Sequence, residues 1–335
     1  MTRDRSPRRL RRRDRNALIA ASMTALSLTA SGCVVVHGER EVLPATTRAE
    51  AAKALQRFTD AYNAADKAYD SSLDEDYVTG ALADIDGARL KAGHTNNPGG
   101  NSAHQPLKLS DAKFTIPKKA GWPRWFLADA HANKGGDARW LLVFTRGSLT
   151  EPFQVAYLTL VAPGAVPEFT KDKDGWAEAV PAASPELAIQ PRDLSARYTT
   201  YLKNGGSGFA KGAHTSGWRA QRTEDASRPG LATQYIDEPL TNGDYAPLAL
   251  RTADGGALVF FTTHHYAKQT AAAGASVPTP NQDVQALTKG EIKQSLTLEF
   301  VSNEVVLDPK RGTGSGSDEI SMLGRIQGLT AARGG

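Results

Sequence analysis

Two stretches of the chain, 135–145 (GGDARWLLVFT) and 255–262 (GGALVFFT), decide the fold, because each joins a double glycine to an unbroken apolar run. Paired glycines permit a tight turn, and a short continuous apolar run is typical of a strand that is covered on both faces. Trp140 to Phe144 is therefore predicted to be a central strand. Each stretch indicates a hairpin with a buried second strand that ends in threonine.

Further strand patterns lie on both sides of these two hairpins. The predicted strands of the first half are 113–116, 125–132, 138–146 and 153–161, with 176–180 closing the same sheet. The predicted strands of the second half are 246–252, 257–266 and 292–307. Alternation between 292 and 300 predicts that Leu296, Leu298 and Phe300 face the core and that Thr297 and Glu299 face water.

Each half also begins with a helical pattern. Thr47 and Glu50 have the spacing of a capping box, in which each side chain satisfies a free donor at the helix start. The stripe that follows has spacings of four and three residues: Ala51, Leu55, Phe58, Tyr62, Ala65 and Tyr69. A second helix is predicted around 77–91. In the second half, Pro191 suits a first helical position, and Gly205 with Gly206 ends the run.

These patterns predict an α+β fold with two domains, 46–183 and 184–335, each a helix packed on a curved antiparallel sheet. The similarity of the two glycine-led hairpins suggests that the two domains are related. The alternative is that any two buried hairpins of this length look alike. A helix followed by a bent sheet resembles the nuclear-transport-factor-2-like superfamily or, alternatively, the cystatin-like arrangement. The nuclear-transport-factor-2-like fold is cone-shaped and often holds a pocket between helix and sheet. The aromatic residues that would line such a pocket here are Trp122, Trp125, Trp140, Phe144 and Tyr157. We favour the interpretation that they form the core.

The front of the chain has the layout of a secretory signal peptide. Residues 1–15 contain eight arginines and two acids, and residues 16–32 are uncharged and rich in Ala, Ser and Thr. This apolar segment is too short for a membrane-spanning helix, which needs roughly 20 predominantly apolar residues. Residues 1–32 are therefore predicted to be removed, and 33–45 to form a tether. Arg8 and Arg9 leave the choice between general secretion and twin-arginine export open.

Ala30-Ser31-Gly32-Cys33 resembles the bacterial lipobox, in which a small residue precedes an obligatory cysteine. The resemblance implies cleavage between Gly32 and Cys33 and acylation of Cys33 by fatty acids such as palmitate. Ala30 departs from the family pattern, in which the position three residues before the cysteine is usually Leu. Cys33 is the only cysteine, so no intrachain disulfide exists. The alternative is an incidental thiol behind an ordinary signal peptide.

The net positive charge of the chain comes from the segment that is predicted to be removed. The chain has 40 basic and 36 acidic residues; without the eight arginines and two aspartates of residues 1–32, 32 basic and 34 acidic residues remain, a net charge of about −2. A nucleic-acid partner is therefore not expected. The expected partner is the cell membrane, through a lipid on Cys33 at its extracytoplasmic face. In organisation, the chain is similar to actinobacterial secreted lipoproteins that carry a domain of unknown function.

The sequence predicts no catalytic, cofactor-binding or metal site. His264 and His265 are adjacent in a strand, so they point to opposite faces and are poorly placed to chelate one ion. Four acids could bind calcium, although a solvated helix junction explains them as well: Asp70, Asp74, Glu75 and Asp76. Residues 312–316 superficially resemble a phosphate loop but lack its lysine, which favours a linker.

Two classes of function follow. The first is a non-catalytic lipoprotein that binds an envelope protein or a small molecule, or has a structural role. The second is an envelope enzyme or small-molecule-binding protein that uses a cone-shaped pocket with a histidine or carboxylate base. The missing catalytic motifs favour the first class, and no cofactor is expected.

Overall fold

The computed structural model describes residues 41–312 and 318–335. The α-helices in these residues are α1 (Arg48–Ala68), α2 (Gly80–Asn96), α3 (Leu194–Asn204), α4 (Trp218–Asp225) and α5 (Gln282–Leu287). The strands of the first half are β1 (Leu43–Pro44), β2 (Leu109–Thr115), β3 (Pro117–Lys119), β4 (Arg124–Ala132), β5 (Arg139–Arg146), β6 (Gln154–Val161) and β7 (Ala177–Glu178). Those of the second half are β8 (Ser227–Arg228), β9 (Leu231–Leu240), β10 (Leu248–Arg251), β11 (Ala257–Ala271), β12 (Thr288–Lys289), β13 (Ser295–Asp308) and β14 (Ser321–Gly334). The α+β class is confirmed.

Within the described residues, the strands form two large sheets and one small sheet. The first large sheet is antiparallel and has the order β2-β4-β5-β6. The second has the order β12-β14-β13-β11-β9-β8, with β10 also paired to β11. The small sheet has the order β1-β3-β7. Bulges interrupt the β13–β14 register between Glu299 and Phe300 and between Val305 and Val306, and such bulges bend a strand.

The two large sheets pack face to face, with a helix on each outer side. Apolar residues of α1, including Phe58, cover the outer face of the first sheet. The inner layer joins the sheets and contains Trp125 and Tyr157 from the first and Phe260 from the second. On the outer face of the second sheet, α3 contributes Tyr198 to a third apolar cluster. The order of layers is therefore helix, sheet, sheet, helix.

Residues 42–335 form one compact unit. The predicted segments 46–183 and 184–335 each supply one large sheet, and both contribute to the inner apolar layer. The boundary between residues 183 and 184 stays a prediction. Leu43 and Pro44, at the end of the predicted tether, pair with Lys119 and Lys118 of β3.

The start of α1 confirms half of the capping box. The Thr47 hydroxyl accepts a hydrogen bond from the Glu50 backbone N–H at 3.1 Å, which satisfies one of the free donors of the first turn. The Glu50 side chain does not reach back to the Thr47 backbone as predicted. Its carboxylate accepts instead from the Thr46 hydroxyl at 2.5 Å and from Arg146 at 2.8 Å. Glu50 therefore ties the helix start to the end of β5.

Two strand predictions are wrong. Residues 176–180 do not close the first large sheet, because Ala177 and Glu178 pair with β3 in the small sheet. Glu299 does not face water: it is 9% exposed, and its carboxylate lies 2.9 Å from Arg333 Nε on the neighbouring strand. The second error has a physical cause: Arg333 on the neighbouring strand compensates the charge of Glu299, which we expected water to solvate.

The sequence patterns did not predict β9, α4 or β14. In β14, Gly324 lies where an added Cβ would come 2.3 Å from the Leu160 carbonyl oxygen, and a Cβ on Gly328 would come 2.4 Å from Ile85 Cγ2. These glycines let β14 approach β6 and α2 closely. A strand that uses glycine at its contacts shows little apolar periodicity, which explains why it was missed.

Candidate functional site

The residues predicted for lipidation and cleavage, Cys33 and Gly32, lie outside the described residues. Their roles therefore stay predictions. No helix in the described part of the chain is both long and apolar enough to cross a membrane.

The adjacent histidines point to opposite faces of β11, as expected. His265 is 2% exposed and its ring stacks on Phe300 with the centroids 4.8 Å apart. His264 lies on the other face, 4.4 Å from the Tyr266 ring and 3.8 Å from a Glu238 carboxylate oxygen. Burial, together with nearby Arg222, lowers the pKa of His265 to about 2. His265 is therefore a neutral ring in the interior near pH 7.

His265 belongs to a polar cluster between α4 and the outer face of the second large sheet. We name this group the cap cluster, and its members are Trp218, Arg222, Asp237, Thr263, His265, Glu304 and Arg325. Strand pairing places Asp237 beside His265, and Glu304 beside Arg325. The Trp218 ring packs edge-on against His265 at 6.3 Å. The cluster is thus assembled from one helix and four strands that are distant in sequence.

A buried ion pair joins α4 to the sheet. Arg222 donates two hydrogen bonds to Asp237, at 2.7 and 2.8 Å, and both side chains are less than one tenth exposed. The guanidinium also lies between two rings, 4.9 Å from the centroids of Trp218 and Tyr235. A bidentate pair with two aromatic faces has a single well-defined geometry. It fixes the position of α4 on the sheet.

The second acid of the cap cluster is fully buried. Glu304 accepts a hydrogen bond from the Thr263 hydroxyl at 2.7 Å, and its carboxylate lies 3.6 Å from Arg325 Nε. Burial raises the pKa of Glu304 to about 8, against the lowering effect of Arg325. Glu304 is therefore mostly protonated near neutral pH. The neutral imidazole of His265 adds no further positive charge beside Arg222 and Arg325.

Several polar atoms of the cap cluster make no hydrogen bond within the described protein. They are Trp218 Nε1, Arg222 Nε, His265 Nδ1, Glu304 Oε2 and Arg325 Nε. Buried polar atoms usually have partners, so this concentration marks the cluster as unusual. A residue with a strongly shifted pKa is a candidate for chemistry only where a substrate can reach it. Glu304 and His265 are both shielded from solvent.

The acidic group near the end of α1 does not converge on one point. Asp70 accepts hydrogen bonds from the Ser72 backbone and hydroxyl, while Glu75 and Asp76 are exposed. Asp74 is 1% exposed, so the predicted solvated junction is wrong for this residue. Within residues 41–312 and 318–335, no group of three or more His, Cys, Asp or Glu side chains is placed to hold a metal ion.

Asp74 instead faces the buried carboxylate of Asp86. Arg89 donates to one Asp86 oxygen from Nε at 2.9 Å and from Nη2 at 2.8 Å. Burial and the Asp86 charge raise the pKa of Asp74 to about 8. Asp74 therefore holds a proton near neutral pH, because its charged form would be buried next to a second acid.

The five aromatic residues proposed for a cone pocket belong largely to the core. Trp125 and Tyr157 are buried between the two large sheets, whereas Trp140 and Phe144 are buried on the opposite face, under α1. They do not surround a common space. The interpretation of these four side chains as core is confirmed.

A cleft of about 540 Å³ runs along α3. Residues of α3, of the segments before and after it and of the segment after β13 line the cleft, among them Gln190, Arg197, Tyr201, Gly206, Phe209 and Arg311. Arg197 is exposed, and Arg311 donates to the Leu187 carbonyl oxygen at 3.0 Å. The volume falls within the range of small-molecule sites. Sequence analysis did not find this cleft, because its walls are distant in sequence.

Comparison with known proteins decides the family. Residues 42–334 match the family described as a domain of unknown function, DUF8094. A protein of Streptomyces coelicolor with the name uncharacterised lipoprotein is 71% identical over the full length of both chains. The chain belongs to this lipoprotein family. A second uncharacterised lipoprotein, from Streptomyces avermitilis, is 60% identical over the full length of both chains.

A more distant uncharacterised lipoprotein of Streptomyces coelicolor is 27% identical over 98% of this chain and 95% of its own. The DUF8094 match covers nearly the whole compact unit, so the cap cluster, the α3 cleft and the Asp74–Asp86 pair all lie within it. The expected resemblance to actinobacterial lipoproteins with a domain of unknown function is confirmed. No solved structure matches, so the likeness to nuclear-transport-factor-2-like or cystatin-like folds stays a prediction.

Proposed function

We propose that this DUF8094 lipoprotein is held at the extracytoplasmic face of the cell membrane by acyl chains on Cys33, and that its compact unit has a non-catalytic binding or structural role there. The lipobox precedes the compact unit by nine residues, and the full-length relatives share the lipoprotein name. One acyl chain holds a protein only marginally, whereas two or three hold it stably.

The observation that supports a non-catalytic role is the burial of the groups best suited to acid and base chemistry. Glu304 has a pKa near neutrality but is 0% exposed, and His265 is 2% exposed with a pKa far below neutrality. A general base must come within hydrogen-bond reach of its substrate. In the folded state His265 instead packs against Trp218 of α4, and Glu304 accepts a hydrogen bond from Thr263.

The anchor is tested by intact mass spectrometry of the membrane fraction. The wild-type chain should begin at Cys33 and carry acyl mass, and Cys33→Ala should lose both the added mass and retention in the membrane fraction. Ser31→Ala keeps a small residue before the cysteine and serves as the matched control, which should remain acylated. An unmodified wild-type chain in the medium would contradict the proposal.

Binding of a small molecule is the second candidate function, and the α3 cleft favours it. Its lining combines the exposed Arg197 guanidinium with Tyr201 and with backbone groups of Gly206. Native mass spectrometry of the chain released from membranes by mild detergent would reveal a retained small molecule. Arg197→Ala should lower its occupancy, and Arg192→Ala, on the surface just before α3, should not. Equal occupancy in both variants would exclude the cleft as the site.

A further inference from the structure

Apolar side chains are exposed at the end of the first large sheet where the chain leads towards Cys33. Val42 is 62% exposed, Leu43 is 44% exposed, and Leu149, in the loop between β5 and β6, is 75% exposed. Among the described residues these are three of the five strongly exposed large hydrophobic side chains. A single exposed apolar residue is ordinary on a protein surface, but a group at one end marks an interaction site.

Specific contacts bring these residues to the same end of the fold. Arg124 Nη1 donates to the Leu43 carbonyl oxygen at 3.0 Å, which ties β1 to the start of β4. Across the sheet, Arg124 pairs in register with Arg146, the last residue of β5. Leu149 follows Arg146 by three residues in the next loop. The strand that receives the tether and the loop of Leu149 therefore lie at one end of the sheet.

The same end presents an aromatic ring and an amine. The half-buried Trp122 lies in the turn before β4, with the Arg124 guanidinium 5.6 Å from its ring centroid. Lys119, the register partner of Leu43, donates from Nζ to the Trp122 carbonyl oxygen at 3.1 Å. Tryptophan and lysine both have an apolar body and a polar tip, which suits the boundary between acyl chains and headgroups.

We propose that this surface, which we name the anchor face (Val42, Leu43, Lys119, Trp122 and Leu149), lies against the lipid bilayer that carries the acylated Cys33. The inference rests on the proposed function. Nine peptide steps separate Cys33 from Val42, so Val42 stays within about 30 Å of the lipid even when the tether is fully extended. The tether thus favours contact between this apolar end and the bilayer.

A fluorescent reporter tests the anchor face. Cys33 is the only cysteine, and acylation blocks its thiol, so Leu149→Cys supplies a single reactive thiol. The full lipidated chain is labelled with an environment-sensitive dye and placed in vesicles of equal parts phosphatidylglycerol and phosphatidylethanolamine. Ile236→Cys is the matched control, because Ile236 is also an exposed apolar residue, at 43%, but lies on β9 of the other large sheet.

The dye at position 149 should emit at shorter wavelength and show a several-fold lower quenching constant with iodide than the dye at position 236. Adding Leu43→Glu to the Leu149→Cys chain should restore quenching, because a charge on the anchor face opposes its contact with lipid. Both substitutions change exposed side chains, so the fold should be kept, which circular dichroism verifies.

The outcomes separate the anchor face from the anchor itself. Intact mass of the same sample first shows whether Cys33 is acylated, and an unacylated chain would overturn the proposed function. An acylated chain with equal quenching at both positions would overturn the anchor face alone. Protection at position 149 that disappears when fewer chains are placed in each vesicle would also overturn it, since contact between two copies of the chain would then be responsible.

Discussion

Replacing Asp74 by asparagine should make the protein more stable at mildly alkaline pH. Asp74 is 1% exposed and faces Asp86, which accepts a hydrogen bond from Arg89. Asp74→Asn keeps the shape of the side chain and gives it an amide that donates to Asp86 at every pH. The variant therefore has the hydrogen bond of the protonated acid without a group that titrates.

The magnitude follows from the pKa of Asp74, which burial and Asp86 raise from 3.8 to about 8. The folded chain keeps a proton that the unfolded chain has released, so the contribution of this group is complete below about pH 4 and is lost as the pH rises to about 8. One pKa unit corresponds to about 1.4 kcal/mol. Through this pair the wild-type free energy of unfolding should fall by roughly 2 kcal/mol between about pH 6 and about pH 8. Asp74→Asn should remove that loss.

Urea denaturation followed by tryptophan fluorescence measures the effect at several pH values. The difference in unfolding free energy between Asp74→Asn and wild type should grow as the pH rises. Asp76→Asn is the matched control, because Asp76 is an exposed acid in the same segment and should leave the pH dependence unchanged. Parallel wild-type and Asp74→Asn curves, or an equal effect of Asp76→Asn, would refute the reasoning.

Three further substitutions test the packing by the same denaturation experiment. Arg222→Ala leaves a buried carboxylate without its partner and should destabilise the fold by roughly 3–5 kcal/mol, whereas Arg228→Ala, on an exposed side chain, should have little effect. Gly324→Val forces a side chain against the Leu160 carbonyl and should cost about 1–3 kcal/mol or more; an unchanged urea midpoint would show that β14 and β6 are not in close contact. Thr47→Ala removes the α1 cap and should cost about 0.5–2 kcal/mol, and no loss would argue against the cap.

The sequence predicted elements well where apolar residues dominate them. The run from Trp140 to Phe144 is an inner strand of its sheet, and each of these side chains is at most 8% exposed. Strand β9 was not predicted, because it is near the sheet edge and its buried positions are filled by polar side chains such as Asp237. Local periodicity cannot predict a strand whose inward residues are compensated by distant partners.

The same limit applies to the candidate sites. Glu304 lies within an apolar strand, but its neighbours Thr263 and Arg325 come from two other strands, so their contact is visible only in three dimensions. The α3 cleft is likewise formed by separate segments. The lipobox could be predicted from the sequence because its residues are consecutive and such a signal is read in an unfolded chain. Sequence reasoning thus predicted the apolar strands well and the buried polar contacts poorly, and the lipid anchor on Cys33 stays a prediction.

The pairing of β1 with β3 has a mechanical consequence. Any pull on an anchored Cys33 reaches the compact unit through β1, a strand of only two residues held by few contacts, among them Ala45 N–H to the Pro117 carbonyl oxygen at 3.0 Å. Under load this strand peels away first, and release of residues 42–45 lengthens the linker by about 13 Å. The capped start of α1 and its buried stripe then resist further extension. The two-residue strand β1 is therefore expected to be the first part of the compact unit to yield when the chain is pulled from the side of Cys33.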